Sequence, residues 1–461
     1  MTAIDRPASV FVRSAHAVAT FISRNVAASM FAIWAFPLLL MVAVAMPPWM
    51  NSDEPFHMLR AVNVAHGGIL GIRSAEKDWA GGPSDPAIYD AYGAIHRPSW
   101  DKDAPATEAE LTASDAVRWH REITPAWFGN TVQYAPFFYL PDAASYWIGR
   151  ALGLRVNLTL RLARIVNAVI FTLLSAISIA TARQTRPFIM AVLMLPMSIA
   201  LGASASQDAI LIPAAALTVA WLDRMIDEAR TPSTPALAAL AASFAMLGMA
   251  RAPYGSLTLL LFVGRNTNRR AAVTAAVACV AILTWSALVA THVMVPMGHS
   301  NPSAQWRGLV ADPARIFTIA ANTAFQAGGY FSDFVGRLAW VDRPLPAIYR
   351  AFAGVVLALA AVASSTGARR QRLPVLFAVA AAILAIFVLQ YFDWTRPGMP
   401  AVTGVVGRYF TPLAMASALA LPSFAYAESA RRKVAYAALA TLALITPAVM
   451  LHHIALRFYV S

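Results

Sequence analysis

Residues 28–61 read ASMFAIWAFPLLLMVAVAMPPWMNSDEPFHMLRA. The stretch 28–46 carries no charged side chain. It is close to the roughly 20 apolar residues that a membrane-crossing helix takes. Immediately beyond it Asp53 and Glu54 stand side by side, followed by Pro55, His57 and Arg60. The stretch predicts a first span that delivers an acid pair to the membrane surface.

The rest of the chain follows that lead. Of 461 residues, 59% are hydrophobic and 13% charged, against about 25% charged in soluble domains. This is the composition of an integral membrane protein. The net charge of +13 is carried almost wholly by arginine, the lysines being Lys77, Lys102 and Lys433. In a membrane protein such an excess marks loops that face anionic lipid. No soluble basic domain is left to bind nucleic acid. The single cysteine, Cys279, lies in an apolar run, which excludes an internal disulfide and a cysteine metal site. The Arg- and Ala-rich composition points to a bacterium with a GC-rich genome. No small-residue cleavage site follows the first apolar run, so that run reads as a retained helix.

Apolar runs at 28–46, 162–182, 188–204, 207–222, 236–250, 255–264, 271–295, 346–364, 374–391, 408–426 and 434–451 predict an all-α polytopic bundle of about eleven spans. Arginines cluster between them: Arg183 and Arg186; Arg224 and Arg230; Arg265, Arg269 and Arg270; Arg369, Arg370 and Arg372; Arg431 and Arg432 with Lys433. The positive-inside rule places these loops in the cytoplasm, with the N-terminus and its Arg6, Arg13 and Arg24. The stretch 136–152, PFFYLPDAASYWIGRAL, would break that pattern if it crossed. It predicts an amphipathic helix on the outer membrane surface. Two long external segments result, 47–157 and 296–345, within one transmembrane domain over 1–461; spans fill 158–295 and 346–461. Residues 73–125 read as a polar loop excursion with little core. A surface helix is predicted over 312–327, capped by Asp312 with Pro313 at its first position. No fixed-period repeat and no nucleotide-binding glycine motif is present.

Several groups can carry chemistry. Asp53 before a helix opening at Pro55 is a normal cap. Yet His57 and Arg60 follow on the same helical face at i+4 and i+7, and a carboxylate there can act as a general base. Tyr134 and Pro136 open the surface helix, either as part of an interfacial aromatic belt or as a cavity wall. In LRVNLTLRLARIVN, residues 154–167, Arg161 can snorkel to the surface. Arg164 lies deep enough to need a partner, for which Asp208 in SASQDAI (204–210) is available. Arg251, in MARAPYG (249–255), faces outside between two short spans, a broken arrangement tolerated where it lines protein or a wet cavity. Arg408 and Tyr409 open the last-but-one run. They read as an interface anchor or as a site where arginine binds a lipid phosphate bidentately.

Together SDEPFHMLRAVNVAHGG (52–68), QYAPFFYLP (133–141), LPMSIALGASASQDAI (195–210), DPARIFTIAANTAFQAGGYFSDFVGRLAWVDRPLP (312–346) and VVGRYFTPL (405–413) resemble, in order, the motifs of the bacterial polytopic proteins of domain-of-unknown-function family 2142. The resemblance covers about 30–425. That family is similar to the GT-C glycosyltransferases, which take a sugar from a polyprenyl-phosphate carrier at the outer membrane face with inversion. The resemblance implies Asp53 as general base, with Glu54 orienting it or replacing it. Arg408 would hold the donor phosphate, helped by Arg251 or Arg164. His57, Arg60, Tyr134, Asp208 and Tyr409 complete the substrate-binding set. It further implies an envelope glycan or lipid-linked acceptor and a place in the bacterial inner membrane with the site facing the periplasm. Mg²⁺ or Mn²⁺ held by oxygens of Asp53, Glu54 and Asp208 is the lesser reading. Ser52 and Gln207 stand where the family pattern has prolines. Rival expectations are a transporter or flippase for polyprenyl-linked glycans, and a polymerase or ligase that transfers whole glycans. Paired inverted repeats, the mark of many transporters, are not evident.

Overall fold

The computed structural model of the protein describes residues 25–74, 79–228, 232–263, 269–295, 297, 299–364, 372–422 and 428–460. The N-terminal arginines Arg6, Arg13 and Arg24, and Arg230, Arg265, Arg369 and Arg370, lie outside the described residues. Among the described residues six helices are long and apolar enough to cross a membrane: Val26–Ala45, Val156–Thr181, Asp208–Asp227, Arg269–His292, Arg372–Asp393 and Glu428–Phe458.

The other apolar runs are shorter or broken, for local reasons. Run 188–204 divides into Arg186–Leu193 and Pro196–Gly202. Proline has no N–H and disfavours helix at the residue before it. Ala252–Phe262 is an unusually long 3₁₀ stretch. Run 408–426 opens as a 3₁₀ turn, Gly407–Phe410, followed by the short helix Thr411–Ser417. Thr234–Ala250 and Ala347–Ala363 are apolar helices of 17 residues each, on the short side for a span.

The core forms around Val156–Thr181, which packs against Val26–Ala45 on one side and Asp208–Asp227 on the other. Leu38, Leu39, Val42, Phe171, Ile179 and Leu211 are buried there. Buried Ala35, Ala168 and Ala216 keep the seam narrow, since small side chains let helices approach without a hydrophobic drive in lipid.

The segment after the first long helix differs from expectation. Residues 73–125 have a core. An antiparallel sheet joins Ile72–Ser74, Trp79–Ser84 and Thr124–Trp127 in that spatial order. Ala80, Ile88, Ala91, Ile95 and Phe128 are buried around it. The sheet is a small addition to a fold that is otherwise helical. Its central strand contains Gly81-Gly82-Pro83, residue types depleted in strands. At Gly81 the glycine is required, because a Cβ would lie 1.9 Å from the Ala126 carbonyl oxygen.

Pro136–Tyr139 and Leu140–Ala151 are helical, as 136–152 was expected to be. Asp142, Ser145, Tyr146 and Gly149 are buried on its inner face, while Leu140, Trp147 and Ile148 are exposed. That is the pattern of a helix lying on an apolar boundary. Within 296–345 the helices run Pro302–Ala311, Arg315–Ala324 and Ala327–Gly336. Asp312 does not cap a helix over 312–327; it ends the preceding one, with Pro313 in the break. The N-cap here is Asn301, which accepts the Ala304 N–H at 2.9 Å.

Candidate functional site

The loop leaving the first span is shaped by Trp49 and Asp53, both with positive φ (68° and 60°). Trp49 is buried, its Nε1 donating to Asn157 Oδ1 at 2.9 Å, and Trp340 Nε1 donates to its carbonyl at 3.2 Å. These bonds fix the chain direction just before the acid pair.

Asp53 occupies the N-cap position of helix Glu54–Ala65, yet its side chain makes no cap bond. A capping residue has extended backbone. The left-handed backbone at Asp53 instead sends the carboxylate off the helix. Oδ2 meets Arg408 Nη2 at 2.5 Å and Oδ1 accepts from Asn130 Nδ2 at 3.1 Å. The Asp53 side chain is 28% exposed. Burial pushes its pKa up, but Arg408, His57 and Ser52 together outweigh it and hold the carboxyl below its ordinary value.

Glu54 has a different environment. Arg164 clamps it through Nε at 2.9 Å and Nη2 at 2.6 Å. Asn51 Nδ2 and the Ala205 N–H also donate to it, at 3.1 and 3.0 Å. The remaining Arg164 bonds go to the carbonyls of Ala43, Met46 and Pro47. Both side chains are buried and saturated. This pair therefore anchors the end of the first span, and the expected partner of Arg164, Asp208, is held elsewhere.

Asp208 takes two hydrogen bonds of 3.0 Å from Arg251 Nη2, and Arg408 Nε lies 3.8 Å from its Oδ2. Asp53, Arg408, Asp208 and Arg251 thus form an alternating row of charges drawn from four separate elements. The Arg251 guanidinium lies 4.3 Å from the Tyr409 ring centroid and 5.8 Å from that of Tyr134, within reach of a cation–π attraction. Tyr134 therefore belongs to the site wall. Gly407 sets the position of Arg408: a Cβ there would come within 2.1 Å of the Tyr330 carbonyl oxygen and 2.3 Å of the Phe334 nitrogen.

His57 is buried beside the row, its Nδ1 2.7 Å from the Tyr139 hydroxyl. Burial brings its pKa down to about 4, against the pull of Asp53 and Asp208. Burial also lifts the Tyr139 phenol well above its usual range. The two neutral groups share one hydrogen bond. Arg60 does not face the site. Its guanidinium donates to Asn63 Oδ1 and to the carbonyls of Gly68, Ile69 and Tyr134, closing a loop.

Asn130 was not foreseen as a site residue. Only its place three residues before Gln133 in an aromatic-rich stretch hints at it. The external triplet Asp101-Lys102-Asp103 stays outside the site, its Asp103 paired with Arg343 at 2.6 Å.

The oxygens of Asp53, Glu54 and Asp208 do not suit a shared divalent cation. Each carboxylate faces its own arginine, and a cation between them would meet guanidinium groups. Among the described residues no group of three or more His, Cys, Asp or Glu is gathered for a metal.

Two cavities adjoin the row. One, of about 260 Å³, is bounded by Tyr134, Arg251, Trp285 and Tyr409. The other is an apolar groove of about 690 Å³, walled by Trp306, Ile319, Tyr330, Phe387, Tyr391 and Phe410. Phe410, two residues from Arg408 in the chain, is part of its wall.

The fold and site define a helical membrane protein with an ordered arginine–carboxylate cluster at one end of its bundle. Residues 36–417 match the family described as "Predicted membrane protein (DUF2142)", and the chain belongs to that family. No curated protein matches the chain.

Proposed function

We propose that the protein is an inverting glycosyltransferase of GT-C type in the bacterial inner membrane. It would move a sugar from a polyprenyl-phosphate carrier to an envelope glycan or lipid-linked acceptor at the periplasmic face. The reading keeps the polytopic arrangement of about eleven crossings, with short and broken segments completing the six long helices, and a cytoplasmic N-terminus. The observation that carries it is the part-exposed Asp53 carboxylate bonded to Arg408 at 2.5 Å; an apolar groove that would suit a prenyl chain has Phe410, two residues on from Arg408, in its wall.

In the resting site Asp53 is a poor base, because Arg408 stabilises its charged form. A donor phosphate entering on Arg408 takes over that guanidinium. Asp53 loses its strongest partner, its proton affinity rises, and it is released toward the acceptor. The acceptor hydroxyl then attacks the anomeric carbon while its proton passes to Asp53. The bond from that carbon to the phosphate oxygen breaks, and polyprenyl phosphate leaves with the electron pair. Arg408 and Arg251 stabilise the charge on the departing phosphate. Asp208 holds Arg251 in place, and Asn130 aims Asp53.

The test is to incubate the purified protein with a panel of polyprenyl-phosphate sugars and membrane acceptors, and to follow released polyprenyl phosphate by mass spectrometry. Asp53→Asn should lower release by about 10²-fold or more, the scale of general-base catalysis, with folding and insertion retained. Undiminished release in that variant would remove Asp53 from the role of base.

A further inference from the structure

We propose that the cavity beyond Arg251 is a subsite for a single pyranose ring. It lies between the ends of Thr234–Ala250, Arg269–His292 and Arg372–Asp393. The proposal rests on the glycosyl-transfer reading and names where a ring is held.

The first observation is size and position. At about 260 Å³ the cavity falls just below the range of roughly 300–1,000 Å³ that drug-sized ligands occupy. It suits one small ring. Arg251 is shared: its Nη2 binds Asp208 in the charge row, while the residue also lines the cavity. Tyr409, the residue after Arg408, lines it as well.

The second observation is unused hydrogen-bonding capacity. Gln390 and Arg251 line the cavity, although the Gln390 Oε1 and Arg251 Nε atoms are themselves closed off from it. Asp393 also lines the cavity. Its carbonyl accepts from the Met297 N–H and the Ser300 hydroxyl, while no described side chain or backbone group bonds its carboxylate. Buried polar groups are nearly always satisfied, and those that are not call for an explanation. An ionised Asp393 carboxylate accepts, and the Arg251 guanidinium donates.

A ligand that meets the Asp393 carboxylate and the Arg251 guanidinium must supply an O–H donor and an oxygen acceptor close together. Vicinal hydroxyls on a ring do both. A second phosphate does not fit, because it would face Asp393 without a proton to give.

The third observation is the aromatic wall. Tyr134, Trp285 and Tyr409 line the same space, and Trp285 is fixed by its Nε1 bond of 3.2 Å to the Gln133 carbonyl. Rigid aromatic faces suit the C–H faces of a pyranose while the polar groups take its hydroxyls.

The experiment uses the full chain in lipid nanodiscs, which avoids detergents with sugar headgroups. Binding is measured for citronellyl phosphate, for its glucosyl, galactosyl and mannosyl esters, and for the methyl pyranosides of the same sugars. In the wild type at least one ester or pyranoside should bind with an increment owed to the ring. Asp393→Asn and Gln390→Leu should each weaken that increment by about tenfold. Both should leave citronellyl phosphate binding unchanged, which also shows that the variants are folded. An increment carried by the esters assigns the cavity to the donor ring, and one carried by the methyl pyranosides to the acceptor ring. If no member gains from its ring, or the gain survives both substitutions, the subsite is overturned. A sugar increment without any transfer activity would keep the subsite and remove the transferase reading instead.

Discussion

The φ of 60° at Asp53 turns its carboxylate toward Arg408, while Glu54, one residue on, lies buried in the grip of Arg164. The two acids therefore respond differently to the same change. Glu54→Gln removes one charge of a buried pair and leaves Arg164 uncompensated, a loss of about 3–5 kcal/mol where such pairs have been broken. Asp53→Asn, at a part-exposed position, should cost far less. Thermal unfolding in nanodiscs compares them: a Glu54→Gln protein as stable as Asp53→Asn would mean that the clamp holds nothing. His57 supplies a pH signature. Its pKa falls from 6.5 in the unfolded chain to about 4 in the folded protein. Between those values the unfolded chain binds a proton that the folded chain refuses, so stability rises with pH across that window. The contribution is complete above the upper value and lost toward the lower one, about 3 kcal/mol over the whole interval. Asp53 acts in the same direction at lower pH, since its folded pKa is below the ordinary 3.8. His57→Gln should flatten the slope between pH 6.5 and 4 in thermal melts. An unchanged slope would assign the titration to other groups.

At the scale of elements, a 3₁₀ turn rather than a long helix presents Arg408, and Gly407 allows that turn to touch the helix Ala327–Gly336. The atoms that a Cβ would strike are backbone atoms of Tyr330 and Phe334, so no rotamer change relieves the clash. Gly407→Ala should displace Arg408, lower melting temperature and reduce transfer together, with overpacking costs of about 1–3 kcal/mol. Normal stability and normal transfer in that variant would separate the turn from the site. The long spans, the surface helix and most of the charged site were legible in sequence, because hydropathy and charge placement are local properties. The partners were not. Arg164 could be seen to need an acid, and Asp208 was the one expected, but packing gives that place to Glu54. The same holds for Arg60, whose helical spacing from Asp53 placed it in the site while its bonds are to the Gly68, Ile69 and Tyr134 carbonyls. The sheet escaped notice because close backbone approach, as at Gly81, selects residues that look like a turn.

For the whole molecule, the geometry gathers chemistry at one end of the bundle. The first span ends near Asp53, Asp208–Asp227 starts there, and Arg372–Asp393 finishes at the cavity. Arg269–His292 runs from Arg269 at the opposite end to the cavity side, where Met294 lines the wall. If the arginine-rich ends face the cytoplasm, the charge row faces the periplasm, where no nucleotide sugar is supplied and a lipid-carried donor is required. Two single-cysteine proteins test this in a Cys279→Ala background: Trp100→Cys, at a site 78% exposed on the Asp53 side, and Arg269→Cys at the other end. A membrane-impermeant maleimide should label Trp100→Cys in intact spheroplasts and Arg269→Cys only after lysis. The opposite pattern would turn the site toward the cytoplasm. A soluble activated sugar could then reach Arg408, and the apolar groove would no longer have a donor chain to explain it.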